Sequence, residues 1–140
     1  RLAPPPAPLV AAPPAALLHS AWQSQSLPPV ISLGGTTTVS MLFRNTGDTP
    51  WIKGTAAEAR LGVVGDDPRW SEAGMAVNWP APTRAAAQSE AVVAPGQIAT
   101  FRFAVKGTLP GVHTLRLRPV VDGVAWLDDQ GAHVVVTVRQ

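Results

Sequence analysis

The chain has 140 residues, a formal net charge of +2, 14% charged side chains, 15 prolines, 12 glycines and no cysteine. That length fits one domain burying roughly two-thirds of the surface its unfolded form exposes, and the missing thiols exclude a disulfide framework and a thiolate metal site. Arg44, Arg60, Arg84, Arg102, Arg116 and Arg118 are too scattered to track a row of phosphates, so nucleic acid is excluded as a partner, and no proline-free apolar run reaches the ~18 residues of a membrane span.

Residues 1–20 read as a separate arm or linker. Pro4, Pro5, Pro6, Pro8, Pro13 and Pro14 fall in its first 14 positions, with alanine filling most of the rest. Fixed φ and missing amide donors bar such a stretch from a helix interior or a central strand, which leaves an extended, polyproline-like conformation. The segment is also apolar, with Leu2, Leu9, Val10, Leu17 and Leu18, and no charged side chain follows Arg1 until Arg44. Arg1 in place of an initiator methionine reads as the start of a processed chain or of an excerpt, with any export signal upstream.

Residues 21–140 carry short extended runs between turn signals. Trp22–Ser26 reads as a first strand, ended by Pro28-Pro29. Thr36–Asn45 follows with Val39, Met41 and Phe43 on one face, the period of two of a half-buried strand. Asn45-Thr46-Gly47-Asp48 makes a turn, Trp51-Ile52 opens an extended piece, and 57–64 reads as a strand. Residues 65–89, broken by Gly65, Pro68, Gly74, Pro80 and Pro82, read as long loops with one short strand. Residues 90–94 lead to the Pro95-Gly96 turn and a strand with Phe101, Phe103 and Val105 on one face. After Pro110-Gly111, residues 112–121 point Leu115 and Leu117 inward and Thr114, Arg116 and Arg118 outward. Asp122-Gly123 is a hairpin turn, Val124–Leu127 is short, and 132–138 closes the domain with Val134, Val136 and Val138 on one face. About seven to nine strands without a helical crossover predict an all-β, immunoglobulin-like antiparallel sandwich.

The segments FRNTGDTPW (43–51), APGQIATFRFAV (94–105) and LPGVHTLRLRPVVDGVAWLDDQG (109–131) resemble the immunoglobulin-like four-tryptophan domain of "next to BRCA1" autophagy receptors, most closely its bacterial relatives. The resemblance covers 22–138. Trp51 matches the tryptophan after the NTG turn, whereas Met41 and Leu115 stand where the eukaryotic pattern has tryptophans. Met and Leu fill comparable core volume, so the implied fold survives while the receptor's partners do not carry over. The resemblance brings no catalytic residues, and it implies an extracellular or cell-envelope setting.

The residues themselves point to no chemistry. His19, His113 and His133 have no acidic neighbours at metal-ligand spacing, and no nucleophile elbow exists. Asp66-Asp67 and Asp128-Asp129 offer oxygens suited to calcium, but both lie in turns where Asp bonds the local backbone. The expectation is therefore no enzyme, no metal and no cofactor. Trp51 and Trp126 are expected in the core or at its edge. Trp70 and Trp79, with Arg84 as polar companion, either cap an open end of the sandwich or form an exposed contact surface. An uncharged arm needs a neighbour to offset its ordering entropy, so Leu2 to Leu18 are expected to dock on another protein subunit. The leading reading is a protein-interaction or structural subunit of an exported assembly; the alternative is a module binding cell-wall polysaccharide through Trp70 and Trp79.

Overall fold

The computed structural model describes residues 11–140. Its twelve strands are β1 (Ser20–Gln25), β2 (Val30–Ser32), β3 (Thr36–Asn45), β4 (Trp51–Ile52), β5 (Arg60–Val63), β6 (Ala76–Val77), β7 (Arg84–Ala87), β8 (Val92–Val93), β9 (Ile98–Lys106), β10 (Gly111–Val121), β11 (Ala125–Trp126) and β12 (His133–Arg139). Seven are four residues or longer, and the surplus over the expected number consists of two- and three-residue pieces. One sheet runs β1-β3-β9-β6; the other runs β2-β12-β10-β5-β7, with β11 beside β10. A separate two-stranded ladder joins β4 to β8.

The period of two builds the core. Val39, Met41 and Phe43 of β3 are buried, and so are Phe101, Phe103 and Val105 of β9. Register places Met41 opposite Phe101 and Val39 opposite Phe103. The rings of Phe43 and Phe101 meet edge to face at 5.9 Å. Leu115, Leu117, Val134, Val136 and Val138 are buried from the second sheet, and all belong to one hydrophobic cluster with the first sheet's side chains. Each such side chain contributes about 1.5–3 kcal/mol of transfer free energy. Trp51 is fully buried in the same cluster.

Three stretches depart from the sequence expectation. The chain joins the sandwich before residue 21: β1 starts at Ser20, a 3₁₀ turn spans Ala15–Leu17, and Leu18 lies in the core. The Asn45 turn holds this entry, because Asp48 N–H donates to Leu17 C=O and Thr46 N–H to His19 C=O. A Cβ at Gly47 would lie 2.1 Å from the Leu17 oxygen, so only glycine lets the backbones approach. Next, β2 pairs parallel with β12. Pro28 and Pro29 cannot donate to the β1–β3 ladder, and the chain crosses to the other sheet's edge, where Pro29 C=O accepts from Thr137 N–H. Finally, residues 65–89 hold more order than long loops would: a single helical turn α1 (Arg69–Glu72), then β6 and β7.

Candidate functional site

The two halves of β10 have different neighbours. Leu117 N–H donates to Ala132 C=O at 3.0 Å on the β12 side. Ladder alternation turns the main-chain groups of Leu115 and His113 the same way, and those of Val112, Thr114, Arg116 and Arg118 to the opposite side. There Arg118 meets Gly62 of β5, but β5 ends at Val63, opposite Leu117. Gly65 (φ 72°) and Asp66 (φ 51°) both take left-handed backbone and turn the chain away; glycine and aspartate are residues that tolerate this conformation. The N–H and C=O of Val112, Thr114 and Arg116 therefore have no backbone partner among the described residues.

A groove of about 720 Å³ runs along this open edge, lined by Val64, Asp67, Arg69, Trp70, Leu109 and Val112 among others. Asp67 Oδ1 accepts from Arg69 N–H at 3.0 Å and starts the α1 turn. That turn lays Trp70 beneath the groove, 9% exposed, with its ring edge-on to His113 at 6.4 Å. His113 Nε2 donates to Leu109 C=O at 2.8 Å and so holds the start of β10. Leu109 and Val112 stay 52% and 68% exposed. A second groove, on the outer face between β10 and β12, shares Val64, Thr114 and Arg116 with the first.

Among the described residues singled out from the sequence as partner contacts, Trp70 alone lines this groove. Leu2, Leu9 and Val10 lie outside the described residues. Leu18 is buried in the domain's own core and Leu17 is half-buried in the 3₁₀ turn, so Leu18 is not a docking side chain. Trp70 is buried, and half-buried Trp79 donates its indole N–H to Ala104 C=O at 2.9 Å, closing the edge of β9 past β6. Its ring stands perpendicular to Phe103, 6.0 Å away. Both indoles complete the domain's own packing, which removes the exposed platform that sugar stacking requires.

Arg84 does not accompany Trp79. It lies over Trp126, its guanidinium carbon 4.8 Å from the ring centroid, with Arg118 5.7 Å from the same ring. Trp126 is half-buried and stands outside the main core, against Gly62, where a Cβ would meet the ring at 2.6 Å. The missing side chain at Gly62 is what lets the indole lie on the sheet.

The ionisable groups serve local structure. Arg84 reaches Asp66 at 2.5 Å and Asp122 at 2.9 Å. Burial opposes the Arg84 charge, but both carboxylates outweigh it and raise the guanidinium above the usual arginine range. Arg84, then the Thr83 hydroxyl, hold the Asp66 carboxyl below the usual range, and Arg69 does so for Asp67. His19 Nδ1 lies 2.9 Å from Asp128 and is raised by that hydrogen bond. The Asp129 side chain accepts from Gly131 N–H. The aspartates considered for calcium are thus engaged by arginine, histidine or backbone donors, and among the described residues no three His, Asp or Glu side chains converge on a metal position. The sequence places Thr114 and Arg116 outward, but the open edge they share with Val112 escapes it because the alternation of side chains does not show where the neighbouring strand stops. The signal for them was Gly65-Asp66, which stops the neighbouring strand.

No protein-family model and no curated protein sequence matches this chain. Among solved structures it is similar to the CARDB domain of the PF1109 protein from Pyrococcus furiosus, crystallised in complex with di-metal ions, with a TM-score of 0.51 and 11% identity over 88% of this chain and 94% of that one. The solution NMR structure of the same domain gives a TM-score of 0.50 and 14% identity, again over 88% and 94%. At such identities the likeness shows the fold: an all-β, immunoglobulin-like sandwich.

Proposed function

We propose that this chain is a non-catalytic protein-interaction module, a rigid spacer in an exported or cell-envelope assembly of a bacterium. The observation that carries the reading is the half-open β10, which presents main-chain donors and acceptors along a groove where, among the described residues, Asp67 and His113 are held by Arg69 and Leu109 C=O and do not converge as acid and base on a nucleophile. Catalysis needs such a constellation; recognition needs a rigid scaffold with unmet bonding capacity. No helix among the described residues is long and apolar enough to cross a membrane. The bacterial, exported setting rests on kinship with the four-tryptophan domains, argued from the segments quoted above. Buried Asn45 fits that kinship: its amide donates to Thr49 C=O at 2.8 Å and Val93 C=O at 3.0 Å, tying the NTG turn to Trp51's ladder partner in β8. The arm before Ala15 is the second proposed contact surface.

The test is photo-cross-linking of the full protein in its own cells. The cross-linker replaces Val112 or Ala11, with exposed Thr38 on the opposite sheet as control. The expected result is a reproducible adduct with one protein from position 112 or 11 and none from 38. No adduct from either test position contradicts the reading.

A further inference from the structure

We infer that the open edge of β10 takes an extended peptide of a partner protein as an added antiparallel strand, with an acidic residue opposite Arg116 and an apolar residue four positions later opposite Val112. This rests on the interaction-module reading and specifies its ligand.

Three observations define the occupant. First, the unmet groups are main-chain N–H and C=O at Val112, Thr114 and Arg116, every second residue of one strand. Only an extended backbone offers donors and acceptors at that repeat, and it does so for any side chains. Second, the direction follows from β5, which runs antiparallel to β10 and stops opposite Leu117. An added strand continuing that line keeps the same twist and register, and Gly65-Asp66 have already carried the chain out of its way. Third, the charges are uneven. Arg69 is neutralised by Asp67 at 2.5 Å, whereas exposed Arg116 has no ion-pair or hydrogen-bond partner among the described residues. At the other end, Leu109 and Val112 expose apolar surface. The ligand residues opposite Arg116 and Val112 share a face of the strand and are four apart, because side chains repeat every second residue. A strand running antiparallel meets Arg116 first, so the acidic residue precedes the apolar one. The ligand residues opposite Leu115 and His113 turn toward Trp70 and must be small or apolar.

The probe is the capped peptide acetyl-TEAVAVT-amide, titrated into the full-length, isotope-labelled protein to about 2 mM and followed by NMR. The expected result is saturable shifts centred on the amides of Val112, Thr114 and Arg116, with those three amides gaining protection from exchange. N-methylation of the first valine, whose N–H faces β10, weakens binding at least about tenfold through the lost ladder bond and the clash it introduces. N-methylation of the first alanine, whose N–H faces away, changes it less than about threefold. Arg116→Glu weakens the peptide about three- to fivefold, and replacing the peptide's glutamate by lysine recovers that loss. Arg116 is exposed, so the variant is expected to keep the parent's thermal midpoint.

Absence of saturable binding, shifts centred on another surface, or equal effects of the two N-methylations would each overturn strand addition. Adducts from position 112 or 11 in cells combined with any of those results leave the interaction module standing and remove only this mode of binding. Loss of both removes the reading itself.

Discussion

Within one strand, β10 shows the closed and the open form of a sheet interior. From Leu117 to Val120 it has β5 on one side, and on the other it meets Ala132, just before β12, and then β11. Trp126 covers that half under two arginines, with Arg118 also donating to Leu127 C=O at 2.9 Å. From Val112 to Arg116 only β12 is present on one flank. Inner side chains are buried in both halves, Leu115 in one and Leu117 and Val121 in the other, whereas the outward ones are exposed at Val112, Thr114 and Arg116 and covered at Arg118 and Val120. Burial of the inner face therefore says nothing about whether the edge is paired, and stability and binding capacity are set by different groups of one strand. The closed half serves the fold. The open half keeps Leu115 in the core and leaves its backbone available.

Substitutions separate the two halves most sharply. Val120→Ala removes a buried outward side chain from the closed half and is expected to cost about 1.5–3 kcal/mol, whereas Val112→Ala on the same face of the open half stays within about 0.5 kcal/mol, both read by denaturant unfolding. A closed-half loss below about 1 kcal/mol would erase the distinction. Gly62→Ala comes next, at about 1–3 kcal/mol, because its Cβ must displace the Trp126 ring. Tryptophan fluorescence should report the indole's release to solvent.

Arg84→Ala is expected to cost about 1–2 kcal/mol by losing the stack on Trp126 and two carboxylate partners, with part of each ion pair discounted for solvent screening. Its effect should shrink in acid. Arg84 holds Asp66 below the ordinary carboxyl range, so that contribution is present above about pH 4 and disappears as pH falls through the lowered value. The smallest effect belongs to the His19–Asp128 contact, which ties the entry segment to the loop before β12. The raised imidazole keeps this contact whole below the ordinary value of about 6.5 and loses it as pH rises through the raised one. An NMR titration of His19 should lose its upward displacement in Asp128→Asn.

Local pattern made much of the sandwich legible. Val39, Met41 and Phe43 announce β3, Phe101, Phe103 and Val105 announce β9, and all six are buried. Pro28-Pro29 marked the end of the first strand but not the sheet change it forces, because pairing with β12 is made about a hundred residues away in sequence. Its position bordering a strand predicts Trp126 in the core or at its edge. Its place on the outer face depends on Gly62, Arg84 and Arg118, brought together only by folding. Leu18 reads with the arm because proline and alanine dominate before it, while its burial is decided by the distant Asn45 turn. The open edge is likewise a relation between two strands: the length of β10 was visible, the stopping point of β5 opposite it was not.

Amide hydrogen exchange along β10 tests that relation most directly, residue by residue in one strand. Leu115, Leu117, Arg118 and Val120 should exchange slowly, and Val112, Thr114 and Arg116 should exchange faster by at least about a hundredfold, at rates near those of exposed loops. Equal protection of alternate residues from Val112 to Arg116 would mean that the edge is already occupied, and the strand-addition site would not exist.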